Sequence, residues 1–487
     1  MKSLYCGGGF IDSQLLWLIP VIDGYCNKNK ISTIIFERNL NKKILKKKII
    51  AQVLQKYNII YLKDSFILKD YLNIIFFILS KLFLIIYHSC IINGKLLVKK
   101  NISWEKSQIN HSIWDTSYFY LKDTELLPNL FHKIKATFRV YVNIYLAYQL
   151  KSIHTAFLGH SVYTARSLIA ILRKFNVRIF THGGCVLNLL PKNYDTSTTF
   201  VQKENLIQIK NLNFKNFSKK YWSERLQGRS TYEDSRIAFK SNTIVKYNKY
   251  PNIVMLHIFR DSPFNVIDRQ RIFEDYISWL ENTLKILKQS NEEWLIRPHP
   301  NFRRWGEDSF KIYNQIYHNV FKNKFQKNIK YDSKKYSNFD LMKSAKRIIT
   351  FSGTSHIESA CFGIKPIIIS ECTLSYLDKK LVFKPKTYSE YRNLILENSN
   401  SNIFRLNKKQ IELSRTILFI KENILNLRAD LKSNPIYRQD KIHLRKKEFN
   451  SIFNNVDKKK LFLFKIGTLL GSKFKNTISE KYLKYFI

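Results

Sequence analysis

The sequence predicts an α/β protein of two Rossmann-like lobes facing a cleft, followed by a basic helical tail. Three observations predict it. Short apolar runs alternate with amphipathic helical segments in two separate stretches, residues 151–186 and 251–397. Several of those runs end in glycine-rich or Pro-His-Pro turns, as strands do where a parallel sheet presents a ligand edge. The chain has 487 residues, more than one core of roughly 150–250 residues accommodates. The expected division is a first lobe over 1–245, a second lobe over 246–404 and a helical tail over 405–487.

The elements follow in order. The opening MKSLYCGGGFIDSQLLWLIPVIDGYC has one lysine and an apolar stretch broken by Gly, Asp and Gln, a poor signal peptide. Tyr71–Tyr87 (YLNIIFFILSKLFLIIY) is 17 residues long and interrupted by Lys81, at the lower limit for a membrane span. It reads as a buried helix packed on a sheet, with seating at a membrane interface as the next option. HTAFLGH is a short strand, TARSLIAILRKF a helix and VRIFTHGG a second strand, together one right-handed βαβ unit. Residues 187–248 are polar loops with a helix around YWSERLQGR. NIVMLHIF then reads as a strand, RIFEDYISWLENTLKILKQ as a long amphipathic helix and EWLIRPHP as strand and loop. RIITFSGTS, HIESACFG and KPIIIS follow as strand and turn, short helix closed by Gly363, and strand. LVFKPKTYSEYRNLILE supplies a last strand and helix, and the Lys-rich tail reads as a solvated helical face.

Composition limits the function classes. A hydrophobic fraction of 45% with 14% aromatics excludes a mostly disordered or fibrous chain. The 82 Lys+Arg against 37 Asp+Glu leave +45, which favours anionic partners, although abundant Lys, Asn and Ile also fit a compositional bias. The six cysteines form no CxxC and no Cys/His cluster, so neither a disulfide framework nor a zinc site is expected. The chain reads as cytoplasmic, with peripheral contact at the inner membrane face.

Two motifs carry the chemistry. In TFSGTSHIES, a strand runs into Ser352, Gly353, Thr354 and Ser355 and then a helix. Gly353 permits close backbone approach, while hydroxyls and free N–H groups at the helix start suit a phosphate. Glu358, one turn on, is placed to accept from a ribose diol. An ordinary strand–turn–helix with a hydroxyl N-cap reads the same way. In RPHP, Pro298 and Pro300 stiffen the loop around His299 at a strand's carboxyl end, and Arg297 adds positive charge. Arg260 and Asp261 lie in FRDSPF after another strand. Arg260, with Arg297 and Lys365, could offset the charge of a bound phosphate. Asp261 suits sugar hydroxyls or base catalysis, or merely a turn before Pro263. On the first lobe, His160 and His182 end successive strands, and either suits a general base or a structural hydrogen bond. Gly183 follows His182, and Tyr163 and Arg166 at the next helix start could touch an anionic acceptor. No DxD-type metal motif is visible, which favours catalysis without a metal ion.

The run HIFRDSPF…RIFEDYISWLENTLKIL…EWLIRPHPN…RIITFSGTSHIESACFGIKPIII resembles bacterial capsule and surface-polysaccharide biosynthesis proteins of the GT-B glycosyltransferase type. Their pattern is an Asp near a strand end, an aromatic-rich helix, a (K/R)xHP turn, and an (S/T)GT-x-x-x-E helix with G-x-P. The resemblance covers about residues 150–400, is specific in the second lobe and stops near 405. It implies transfer of a sugar from a nucleotide donor onto a glycan or glycolipid acceptor, with no cofactor, the nucleotide-sugar being a substrate. The donor nucleotide would lie on the second lobe against Arg297, His299, Ser352, Gly353, Thr354 and Glu358, and the acceptor on the first. Gly7-Gly8-Gly9 is similar to the glycine-rich first turn that such enzymes aim at donor phosphates. The acidic-loop signature of Kdo-transferring members is not visible, so the donor sugar stays open.

Other readings stand beside this one. A CDP-polyol phosphotransferase and a sugar-nucleotide 2-epimerase share the two-lobed shape. A nucleic-acid-binding protein rests on charge alone: no helix-turn-helix, RRM or zinc module appears, so no nucleic-acid partner is expected.

Overall fold

The computed structural model describes residues 2–7, 12–37, 54–93, 103–159, 162–190, 214–228, 239, 252–259, 272–423 and 426–427. Short gaps fall at 64, 122–124, 184–185, 301, 303–306, 323, 333–335, 352 and 371. The architecture is α/β and built on two sheets, as the alternation predicts.

The first lobe runs β1 (Ser3–Gly7), α1 (Asp12–Asn29), β2 (Thr33–Phe36), β3 (Asn58–Tyr61), α2 (Leu68–Ser80), α3 (Leu82–Ile91), α4 (Trp104–Ser117) and α5 (Leu130–Gln149). Then come β4 (Thr155–Leu158), α6 (Thr164–Lys174), β5 (Arg178–Gly183) and β6 (Val186–Leu189). Its strand order is β6-β5-β4-β1-β2-β3. The pairs from β3 through β5 are parallel, whereas β6 runs antiparallel to β5. Only residues 184 and 185 separate β5 from β6, too few for a crossover, so the chain must reverse there. Every residue of β4 is buried, as expected of a central strand covered on both faces.

Helix α7 (Lys215–Leu226) leads to the second lobe: β7 (Asn252–Met255), α8 (Tyr276–Leu287), β8 (Trp294–Arg297), α9 (Ser309–Phe321), β9 (Ile329–Tyr331), α10 (Asn338–Ser344) and β10 (Arg347–Thr350). It continues with α11 (Ser355–Cys361), β11 (Ile367–Ile368), α12 (Thr373–Leu377), α13 (Tyr388–Leu396), α14 (Lys408–Asn423) and β12 (Asn426–Leu427). The sheet is all parallel in the order β11-β10-β7-β8-β9. Trp279 of α8 is fully buried and donates its indole N–H to the Tyr391 hydroxyl at 2.9 Å, tying α8 to α13. Buried Arg347 clamps the opposite end of that layer, donating to the carbonyls of Leu394, Ile395 and Glu397 at the end of α13 and to Asn252 Oδ1.

Several boundaries differ from the sequence expectation. The long helix begins at Tyr276 because extended Asp275 caps it, its carboxylate accepting from the Ser278 N–H at 2.7 Å. The strand in NIVMLHIF stops at Met255. The strand expected after 381 is a single bridge between Ile367 and Phe383. The tail is no solvated face as far as α14: Ile417, Leu418, Phe419 and Ile420 are buried with Phe214, Tyr221 and Trp222 of the α7 segment and Ile357, Ala360 and Cys361 of α11. Helix α7, placed before the boundary at 245, thus packs on second-lobe helices. After α14 the chain returns to the first sheet, where β12 pairs antiparallel with β6. Residues 428–487 lie outside the described residues.

The largest departure concerns residues 71–87. They form most of α2 and α3, bent by 54° at Lys81, and they are not a buried helix. Only Ile78 and Ile85 of that stretch are buried, against Tyr141 of α5, while Phe76 is 64% and Phe83 77% exposed. Among the described residues no single helix is long and apolar enough to cross a membrane.

Candidate functional site

Strand order locates the ligand edge of each sheet. In the second lobe the chain builds outward from β7 through β8 to β9, then crosses to the other side of β7 to lay down β10 and β11. Such a reversal opens a crevice beyond the carboxyl ends of the two strands that flank it, here β7 and β10. Arg297, Met255 and Thr350 stand in register across the sheet. The RPHP loop and the TFSGTS turn therefore leave from the same level on either side of β7, roughly 10 Å apart at a spacing near 4.8 Å per strand.

The turn after β10 is fixed by a residue that the sequence reading passed over. Gly353 has φ +93, and a Cβ there would stand 2.4 Å from Cε1 of His257. His257 follows β7 by two residues, and its backbone N–H donates to the buried Tyr276 hydroxyl at 2.6 Å. His356 closes the turn from below through a hydrogen bond between Nδ1 and the Gly353 carbonyl. Since a carbonyl only accepts, Nδ1 carries the proton; burial pushes this imidazole down to about 3, so it is neutral. Thr354 heads α11 without using its hydroxyl as a cap, whereas Ser355 donates to Thr350 Oγ1 at 3.2 Å. Gly353 and Thr354 are half-buried.

In RPHP the two side chains separate. Arg297 is buried: Nη1 lies 2.5 Å from the buried carboxylate of Asp332, and Nε donates to Asn338 Oδ1 at 3.4 Å. Its charge is already balanced within the protein, which corrects the expectation of a free cation beside a phosphate. It anchors the loop instead. His299, two residues on, is half-buried, and its carbonyl accepts from the Phe302 N–H. Lys365 is corrected as well, because it precedes β11 and so stands at the amino edge of a parallel sheet, opposite the crevice. Its ammonium lies 4.0 Å from the Phe383 ring centroid.

Glu358 is not an open ribose acceptor. It is buried, and Arg225 of α7 donates from Nη2 to its Oε1 at 2.5 Å. Arg225 also donates from Nη1 to Glu422 Oε2 at 2.7 Å, and the Tyr221 hydroxyl donates to that same oxygen. Buried Lys421 interacts electrostatically with Glu422 and Arg225, and burial holds its ammonium below the usual lysine range. Burial raises the Glu358 carboxyl and Arg225 opposes the rise.

The first sheet repeats the logic. The chain goes from β1 to β2 and β3, then crosses back to β4 and β5, so its crevice lies beyond β1 and β4. Gly7, Leu158 and Thr181 are in register, and the Gly159 N–H donates to the Gly7 carbonyl at 3.1 Å. A Cβ on Gly7 would stand 2.2 Å from the Tyr5 hydroxyl, so the first glycine of GGG is required by packing. β4 and β5 are neighbours, which puts the backbone of His182 and Gly183, at the end of β5, beside the end of β4. Tyr163 is a half-buried residue with φ +55; its carbonyl accepts from Ser112 and its ring meets Phe119 at 3.9 Å between centroids. Arg166 does not face an acceptor. It is fully buried, 3.6 Å from Asp115, a correction of the same kind as Arg297.

His160, Ser352, Arg260 and Asp261 lie outside the described residues, as do Gly8 and Gly9. His257, His356, Asp332 and Arg225 are the residues that sequence reading missed. Only His257 left a signal, a histidine in the apolar run that continues beyond β7. Among the described residues no group of His, Cys, Asp and Glu is arranged to hold a metal ion.

No family model and no curated protein matches this chain. Solved structures are similar to it at low identity. KpsC of Thermosulfurimonas dismutans, described as a beta Kdo 2,4 transferase, is 13% identical over 58% of this chain and 83% of its own, with a TM-score of 0.37. The UDP-GlcNAc 2-epimerase of Methanocaldococcus jannaschii is 13% identical over 86% of this chain and all of its own, TM-score 0.29. A glycosyltransferase of Rickettsia africae is 12% identical over 86% of this chain and 94% of its own, TM-score 0.29. The likeness is coarse, and the two-lobed class rests on the strand order above.

Proposed function

We propose that this protein is a GT-B-type glycosyltransferase that moves a sugar from a nucleotide-sugar donor onto a capsule or surface-glycan acceptor. The observation that carries the reading is the placement of the RPHP loop and the Gly353 turn at one level on either side of β7, beside the crevice of the second sheet. The motif resemblance supplies the reaction class. Donor phosphates would sit over Gly353 and Thr354, with Ser352 beside them. The His299 imidazole would stabilise charge on the leaving phosphate, and Arg260 remains the candidate free cation. In the reaction the acceptor hydroxyl oxygen attacks the anomeric carbon as the bond from that carbon to the phosphate oxygen breaks. The hydroxyl proton passes to a base from His160, His182 or Asp261. The nucleotide leaves as the anion, and no metal ion is required by the scheme.

Thermal stabilisation by CMP, UDP, GDP and CDP measured in parallel tests the donor site, because saturating ligand at about a hundred times Kd adds about 2.7 kcal/mol. A shift with one nucleotide, and release of that nucleotide from its sugar only when acceptor glycan is present, supports the proposal. A UDP-sugar inverted at C2 without nucleotide release would assign the epimerase reading instead. Stabilisation by CDP alone with a phosphodiester product would assign the polyol-phosphate reading. No shift with any nucleotide, alongside salt-sensitive binding of random DNA, would remove the enzyme reading altogether.

A further inference from the structure

Helices α2 and α3 turn an apolar stripe away from the protein. Tyr71, Ile75, Phe76, Leu79, Phe83 and Tyr87 recur near helical spacing and are all exposed, a contiguous patch of the kind soluble surfaces avoid. We infer that this face seats the protein on an anionic lipid bilayer, with both helices lying in the headgroup–acyl interface.

Three observations choose this occupant. First, the inward side of the pair is tied to the first lobe. Ile78 and Ile85 are buried against Tyr141, Ser89 Oγ donates to Thr137 Oγ1 at 3.0 Å, and the Tyr141 hydroxyl is 3.2 Å from His88 Nδ1. Helices held along α5 and bent by 54° are arranged to lie along a surface, and neither is long enough to cross a membrane by itself. Second, the neighbouring α5 continues the patch with Phe131 and Phe138, both exposed. Third, the flanking charge is net positive. Residues 68–91 and 130–149 contain Lys69, Lys81, Lys133, Lys135 and Arg139 against the single acid Asp70, whose carboxylate accepts from the Ile67 N–H. Lys135 stands 4.2 Å from the Phe131 ring centroid, a cation beside the apolar surface as at a lipid interface. A second copy docked through the same face would set two basic rims against each other, whereas anionic headgroups neutralise one. This inference is independent of the enzyme reading.

Co-sedimentation of the full chain with phosphatidylcholine vesicles, with and without phosphatidylglycerol, tests it. Binding is expected to rise with phosphatidylglycerol and to weaken with salt. It should fall about tenfold or more in the pair F76S/F83S, which removes two exposed phenyl groups. F325S, at an equally exposed phenylalanine after α9, should bind as wild type does. A second measurement avoids the apolar substitutions: a polarity-sensitive dye on Cys90, exposed at the end of α3, should shift to the blue on adding anionic vesicles. That shift should be absent when Cys90→Ser protein is treated with the same dye. Failure of the wild-type chain to bind either vesicle would overturn the inference. So would binding untouched by F76S/F83S, or a dimer that F76S/F83S dissolves without vesicle binding. Retention in membranes through alkaline extraction would replace interfacial seating with a true span.

Discussion

Arg225 Nη2 and Glu358 Oε1 meet at 2.5 Å in a site closed to water, joining α7 to α11 across 133 residues of sequence. The guanidinium divides itself between Glu358 and Glu422, so removing either carboxylate leaves buried positive charge uncompensated. Glu358 is thereby a joint of the fold.

Glu358→Ala should accordingly destabilise the protein by about 3–5 kcal/mol, the cost of breaking a buried pair from one side. Urea unfolding of the variant measures it. A stability within 1 kcal/mol of wild type, on the order of an exposed pair, together with weaker nucleotide binding would return Glu358 to the ligand site.

Gly353→Ala should cost about 1–3 kcal/mol through its left-handed backbone alone, with further loss from contact with His257. If that contact is what Gly353 avoids, His257→Ala should recover part of the loss in the double variant. Strict additivity of the two changes would show that the glycine and the imidazole do not meet.

Stability should depend on pH through His356. Burial holds its folded pKa at about 3 against an ordinary value of 6.5. As pH falls below 6.5 the unfolded chain gains a proton that the folded chain refuses, so folding weakens until the folded pKa is reached. Between pH 7 and 5.5 this amounts to about 1 kcal/mol, in addition to any contribution from other histidines. Chemical denaturation at both pH values, with His356→Asn as reference, isolates it; identical slopes for the two proteins would contradict the assignment.

His299→Ala should lower kcat by about 10²–10³ while donor KM moves far less, because charge on the leaving phosphate develops only in the transition state. The side chain is half-buried, so the thermal midpoint should stay near that of wild type. Near-full turnover would make His299 a structural residue.

Much of this protein was legible in the linear chain. Short apolar runs alternating with segments of helical period, with Gly353 and Gly363 in their turns and Pro-His-Pro after β8, determined the α/β class and put both motifs at strand ends. These are local properties, encoded within a few residues of where they act. The fate of each charge was decided only in three dimensions. Arg166, Arg297 and Glu358 read as ligand-facing groups, yet Asp115, Asp332 and Arg225 claim them, partners that the chain brings from 35 to 133 residues away. A side chain's type states what it can bind but not which opposite charge reaches it first. Burial followed the same rule in reverse: α14, Lys-rich at its start, hides Ile417–Ile420 because α7 and α11 cover it. Among the described residues, the apolar 71–87 stretch packs on α5 through Ile78 and Ile85 and leaves its other face exposed. Hydrophobicity sets how strongly a surface seeks cover; only the packing of distant elements determines whether cover is there.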